Sequence, residues 1–357
     1  MTAGHPYGSV VKRRVVEFKS GPGRRRLDRV RIERERGVER DRSVKTTAGS
    51  LLSRREFSGI CGTLGSLIAL GAPSFGAATG AAATARTVKL PDGTLVPALG
   101  QGSWHLAQGR HPAAEEEEAL RTGLSLGMTL IDTSGDYGNG RSEQLIGRAI
   151  AGRRDRVFLV SKVEPHQVGG DGIARACEAS LARLGTDHLD LYLLHWPVRN
   201  PQFSEVVAGF ERLRAAGKIR AWGVSNFSLR QMQDLFRVPQ GDRCATNQIP
   251  YNLADRRIER DVLPWCGEHG IPVMAYSPLG GPGAGVLRDP ALARIGAARG
   301  CSAAAVALAW TIRSGNVIAI PESGSSAHVR ENAVALSLTL TPQELETLDA
   351  AHPPPGR

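Results

Sequence analysis

From residue 98 onward the chain repeats one pattern: a short apolar run, a few turn residues, then a stretch with helical spacing of its apolar positions. The runs are Ala98–Gly100, Leu130–Asp132, Val157–Lys162, Leu189–His195, Ala221–Ser225, Thr246–Gln248, Val273–Tyr276 and Val317–Pro321. Between them lie Glu115–Leu126, Glu143–Ile150, Ile173–Leu184, Val206–Ala216, Leu229–Phe236, Ile258–Glu268, Ser302–Arg313 and His328–Leu336. Continuous short apolar runs predict strands covered on both faces, and the helical period predicts amphipathic helices packed over them. Ahead of the pattern, Val88–Leu90 and Thr94–Val96 flank Pro91-Asp92-Gly93, a turn sequence that predicts a hairpin. Strand and helix alternating eight times predicts an α/β fold, a closed (β/α)8 TIM barrel with an N-terminal β-hairpin and an appended helix at Pro342–Asp349. A doubly wound dinucleotide fold requires G-x-G-x-x-G after its first strand. Gly100-Gln101-Gly102 lacks the third glycine, and the glycines at 280–285 have the wrong spacing.

Charge divides the chain differently. The net charge is +10, and residues 1–86 carry all of it, with 17 basic and 7 acidic side chains; the rest holds 28 of each. A basic nucleic-acid binder would therefore rest on the N-terminal segment alone, and the neutral body argues against that class. Residues 1–50 read as a basic leader lying upstream of the true start; a later start would fall on a Val codon such as Val38 or Val44, since no Met follows Met1 before Met128. Residues 51–85 contain Ser53-Arg54-Arg55-Glu56-Phe57, an uncharged run from Ile60, and small residues from Ser74 to Ala85. This order resembles a twin-arginine export signal, with cleavage between about Gly76 and Ala85. It implies the twin-arginine machinery as a partner and a periplasmic or exported product, with a cytoplasmic enzyme as the alternative. Ile60–Ala72 is too short to span a bilayer and ends at Pro73. The barrel then occupies residues 86–357.

Five cysteines, with no C-x-x-C pair and none at ligand spacing from a His, read as packing residues; no metal site is expected. The chemistry sits elsewhere. In a barrel the C-terminal ends of the strands form the active mouth. Asp132, Lys162 and His195 each close an apolar run, and Tyr137 follows Asp132 by one short loop. Hydride addition to a carbonyl carbon leaves an oxyanion that needs a proton and electrostatic support. Tyr137 is the candidate acid. Lys162, held by Asp132, would lower the phenol's pKa from about 10, and His195 would orient the carbonyl as a neutral donor.

At these residues the chain resembles the aldo-keto reductase family. GMTLIDTSGDYGNGRSEQLIGRAI, LVSKV, LDLYLLHWP, WGVSNF, NQIPYN, AYSPLG and IPESGSSAHVREN occur in the family's order, from about Val88 to His352. The resemblance implies NADP(H)-dependent reduction of small carbonyl compounds by a monomer, with the tetrad Asp132, Tyr137, Lys162 and His195. It also implies a cofactor held across the mouth. Ser225, Asn226 and Gln248 would bind the carboxamide, Tyr276 would stack on the nicotinamide, and Ser277 and Leu279 would meet the pyrophosphate. Ser323, Gly324 and Ser325 would receive a phosphate, and Glu331 and Asn332 the adenine. Trp104 and Trp196 would line the substrate pocket.

Two positions depart from the family. Glu322 stands where a Lys usually pairs with the 2′-phosphate, and His328 where an Arg usually stacks by the adenine. The first departure makes NAD(H) use a second expectation. Short loops such as Pro197–Gln202 predict a shallow, open pocket. The competing reading is a non-catalytic barrel that senses nucleotide for a partner protein.

Overall fold

A computed structural model of the protein describes residues 86–198, 203–281 and 285–356. The expected leader (1–50), the export-type segment (51–85) and the part of the loop after His195 at 199–202 lie outside these residues. Strands β1 (Thr87–Lys89) and β2 (Leu95–Pro97) pair antiparallel with Val88 opposite Val96. Their turn closes through Gly93, whose φ of 91° suits glycine, and the Asp92 carboxylate accepts the Thr94 N–H at 2.9 Å.

Seven parallel strands follow in sequence order: β3 (Leu130–Asp132), β4 (Phe158–Val163), β5 (Leu189–Leu194), β6 (Ile219–Ser225), β7 (Asn247–Pro250), β8 (Val273–Tyr276) and β9 (Val317–Ala319). The expected first strand is a bridged segment rather than a regular strand. Leu99 bridges Ala319 of β9 and Gln101 bridges Ile131 of β3, so residues 98–102 join the two edges and close the barrel. Ala319 N–H donates to Ala98 O at 2.8 Å on one side, and Asp132 N–H donates to Gln101 O at 2.8 Å on the other. Glycine makes this fit: a Cβ on Gly100 would lie 2.7 Å from Leu130 Cδ2 and 2.9 Å from its carbonyl oxygen.

Helices cover the barrel at Ala113–Ser125, Arg141–Ile150, Gly172–Leu184, Phe203–Ala215, Leu229–Phe236, Val262–Glu268, Ala303–Thr311 and Ser326–Ala333. Two expectations change in detail. Ile258–Glu268 splits at Asp261, which caps the helix from Val262, and His328–Leu336 tightens to a 3₁₀ turn after Ala333. One helix, Pro290–Arg299, was not expected. Asp289 accepts the N–H groups of Ala291 and Leu292, Pro290 opens the first turn, and Gly300 ends it at φ 64°. The appended helix Pro342–Ala351 is tied down by the buried Arg256, which donates to Asp349 and to the His352 carbonyl. Strand β5 is buried along its whole length, as a strand covered on both faces should be. Cys177, Cys244 and Cys266 are buried as well, and burial pushes each thiol up to about 12, so they serve packing. Among the described residues no single helix is long and apolar enough to cross a membrane.

Candidate active site

Neighbouring strand ends bring Asp132, Lys162, His195 and Tyr137 together. Lys162 Nζ donates to Asp132 Oδ1 at 2.9 Å, to Asp132 Oδ2 at 2.8 Å and to the Thr133 carbonyl at 2.7 Å. The lysine side chain has no exposed surface and that of the aspartate only 3%. Burial pulls the Lys162 ammonium below its ordinary pKa, against the opposing pull of Asp132. Lys162 Nζ lies 4.8 Å from the centre of the Tyr137 ring, and the Tyr137 and His195 rings meet edge-on with centroids 5.8 Å apart.

The expected lowering of the Tyr137 pKa is corrected here. The phenol stands well above its ordinary value, first because it is desolvated and then because Asp132, Glu164, Glu322 and Asp136 place negative charge around it. Lys162 Nζ also donates to Asp132 and the Thr133 carbonyl, so its charge does not outweigh burial and these carboxylates in the resting site. Tyr137 is consequently held as the neutral phenol.

Sequence reasoning missed Glu164. Its Oε1 is hydrogen-bonded to His195 Nδ1, and both side chains are largely buried. The signal was available: Glu164 lies two residues beyond Lys162, and in extended backbone such positions share a face. The bond also corrects the picture of His195 as a simple neutral donor, because one ring nitrogen is already engaged.

The residues expected to hold a cofactor form a polar chain across the mouth. Tyr276 Oη donates to Asn226 Oδ1 at 2.9 Å, and Asn226 Nδ2 donates to the His195 carbonyl at 3.1 Å and to Ser225 Oγ at 3.0 Å. Burial raises the Tyr276 phenol to about 12, which keeps it a donor. Asn226 and Ser277 both have positive φ, 64° and 48°, so the backbone turns sharply just past β6 and β8. Leu279 packs on the core from the same turn. Gln248 is at the mouth too, where its amide nitrogen donates to Asp132 Oδ1 at 2.7 Å.

At the far end, Ser323 and Ser325 brace one another: Ser325 N–H donates to Ser323 Oγ at 3.1 Å. Gly324 has no room for a side chain, because a Cβ would lie 2.6 Å from the His111 ring. Ser325 precedes the helix Ser326–Ala333 and makes no side-chain cap, which leaves first-turn N–H groups for an anion. His328 and Glu331 are exposed on that helix, whereas Asn332 is buried.

Glu322 is engaged otherwise than expected. Its carboxylate accepts the His105 N–H at 2.8 Å, pairs with His105 Nδ1 at 3.0 Å and lies 3.9 Å from Arg110. It therefore clasps the loop that carries Trp104, whose ring packs on His105 at 4.2 Å between centroids. Trp104 and Trp196 are each about half exposed, and Trp196 stacks on His195 with centroids 6.0 Å apart.

A model of the aldo/keto reductase family matches residues 98–353. The chain is 49% identical over 263 residues to the methylglyoxal reductase YeaE of Escherichia coli strain K12, which covers 73% of this chain and 92% of that one. It is 35% identical over 266 residues to an aldo-keto reductase of Mycolicibacterium smegmatis, covering 73% and 91% respectively. Among solved structures, an aldo/keto reductase from Klebsiella pneumoniae in complex with NADP and acetate is similar at a TM-score of 0.74 and 46% identity. That match covers 76% of this chain and 97% of the other.

Replacing Lys162 by Met strands the Asp132 carboxylate in the barrel without a cation, which should cost about 3–5 kcal/mol. Adding Asp132→Asn removes the stranded charge and should recover a large part of that loss. Thermal unfolding of both variants checks this; a double variant no more stable than Lys162→Met contradicts it.

Proposed function

Because the chain belongs to the aldo/keto reductase family, we propose that its barrel mouth reduces small aldehydes and ketones to alcohols with Tyr137 as the proton donor. The chain is an oxidoreductase acting on carbonyls with NADP. The observation that carries the finer reading is the meeting of Tyr137 with His195 and the buried Lys162–Asp132 pair at one mouth. The name of the Escherichia coli relative and the exposure of Trp104 and Trp196 favour a small substrate such as methylglyoxal, entering an open pocket.

The residues present fit a nicotinamide dinucleotide. The uncapped start of the helix at Ser326 suits a phosphate, and the Ser225–Asn226–Tyr276 chain offers polar groups to a carboxamide and a ring face to a nicotinamide. When bound, the reduced nicotinamide supplies the hydride. Tyr137 gives its proton to the carbonyl oxygen as negative charge builds there, and this transfer is downhill because an alkoxide is a stronger base than a phenolate. The Lys162 ammonium beside the ring limits the cost of the phenolate that remains. His195 binds the same oxygen and fixes its direction.

Loss of the Tyr137 hydroxyl in Tyr137→Phe should lower turnover about 10²–10⁴-fold while NADPH binding stays within a few-fold. Near-full turnover by that variant would remove Tyr137 from the mechanism.

NADP(H) is the proposed cofactor, with its preference over NAD(H) weakened by Glu322. His105 and Arg110 offset part of the repulsion between that carboxylate and a 2′-phosphate. Glu322→Lys reverses the charge and should raise the NADPH-to-NADH ratio of kcat/KM roughly ten-fold. An unmoved ratio assigns Glu322 to the loop clasp alone.

Export by the twin-arginine route is proposed from Arg54 and Arg55, which suits an enzyme that must fold around its cofactor before crossing a membrane. Changing both to Lys should hold the uncleaved precursor in the cytoplasm. An unaltered protein found only there, uncleaved, counts against export.

A further inference from the structure

The hydrogen bond between Glu164 and His195 constrains how the histidine can act. His195 follows β5 and its N–H donates to the Val163 carbonyl at 2.9 Å, so adjoining strand ends fix the histidine backbone beside the residue preceding Glu164. The Glu164 and His195 side chains are 15% and 12% exposed, and the Ser134 hydroxyl faces the same Glu164 oxygen at 3.5 Å. With Nδ1 taken, Nε2 is the ring nitrogen left for a carbonyl oxygen.

Proton counting then decides what Nε2 can do. If the pair holds one proton, that proton lies between Oε1 and Nδ1, and Nε2 carries a lone pair that only accepts. Donation from Nε2 requires a second proton. The pair is then either an imidazolium beside a carboxylate or an Nε2–H imidazole beside a carboxylic acid, and both are neutral overall. We propose that Glu164 is a positioning residue that makes His195 a donor to the substrate carbonyl only while the Glu164–His195 pair holds this second proton. The proposal rests on the carbonyl-reductase reading of the site.

Among the described residues, Lys162 from β4 attracts the Glu164 carboxylate, while Asp132 on β3, Asp136 in the following loop and Glu322 after β9 join Glu164 in placing negative charge around the Tyr137 ring that meets His195. Among the described residues, Tyr137 from the loop after β3, Ser134, Trp196 and Asn226 also meet the pair and are uncharged. Tyr137 and Lys162 both feel the Glu164 carboxylate, so an alkaline limb from either would move to lower pH, not higher, once that carboxylate is removed.

The test is the pH profile of kcat/KM for a neutral aldehyde at saturating NADPH, in the unaltered enzyme and in Glu164→Gln. A glutamine amide can donate to Nδ1 and leave a neutral imidazole with its proton on Nε2, so no second proton is required. The unaltered enzyme should lose activity as rising pH removes the second proton. In Glu164→Gln this limb should vanish or move up by about one pH unit or more. A merely structural role would lower activity evenly across pH. An identical limb in the variant, or no limb in the unaltered enzyme, overturns the assignment. If Glu164→Gln does not fold, Glu164→Asp keeps the carboxylate and should keep the limb, and loss of the limb there overturns the proposal as well. An unaltered enzyme that oxidises no NADPH with any aldehyde overturns the reductase reading itself, and the proposal with it.

Discussion

A lysine ammonium with no exposed surface must find its counter-charge inside the protein, and at this barrel mouth Lys162 finds it in Asp132. Two carboxylate oxygens and the Thr133 carbonyl take its three protons, and Gln248 donates to the carboxylate from the other side. Strands β3, β4 and β7 are thereby tied through side chains as well as through the sheet. Desolvating two charges costs several kcal/mol per ion, so this arrangement is poor evidence of a stability device. Its use is positional: it fixes a positive charge beside Tyr137 in a place water does not reach. The closing segment serves the same pair, since the Asp132 N–H donates to Gln101 and the Ser103 hydroxyl donates to the Asp132 carbonyl.

Around that neutral centre the mouth is acidic. Glu164, Asp136 and Glu322 all bear on Tyr137 and hold its phenol protonated. An acid that must deliver a proton to a developing alkoxide benefits from starting fully protonated, so the setting suits reduction. Glu322 adds a mechanical link. It joins the strand end at β9 to the Trp104 loop through His105, so one side chain touches both the proposed cofactor end and the proposed substrate wall.

Much of this was legible in the sequence because a barrel converts order along the chain into position around a ring. Asp132, Lys162 and His195 end successive apolar runs, which was enough to put them at one mouth. Ala98–Gly100 was recognisable as the first strand, but not its reduction to isolated bridges. The helix Pro290–Arg299 was missed although Asp289-Pro290 and Gly300 mark both its ends; its small residues give it little amphipathic contrast. Glu164 lies beyond the apolar run Val157–Lys162, whose end marks Lys162 alone. The Tyr137 shift and the engagement of Gln248 and Glu322 were beyond sequence reasoning. Each depends on which of several nearby partners a side chain meets, and only coordinates decide that.

The central claim is that this mouth performs chemistry and does more than hold a nucleotide. The most direct measurement follows NADPH oxidation by the purified barrel with methylglyoxal and other small neutral aldehydes, while the alcohol formed is quantified. The account predicts continuous turnover with one alcohol produced per NADPH consumed. Tight nucleotide binding without alcohol formation across the panel would contradict it and would favour a nucleotide sensor.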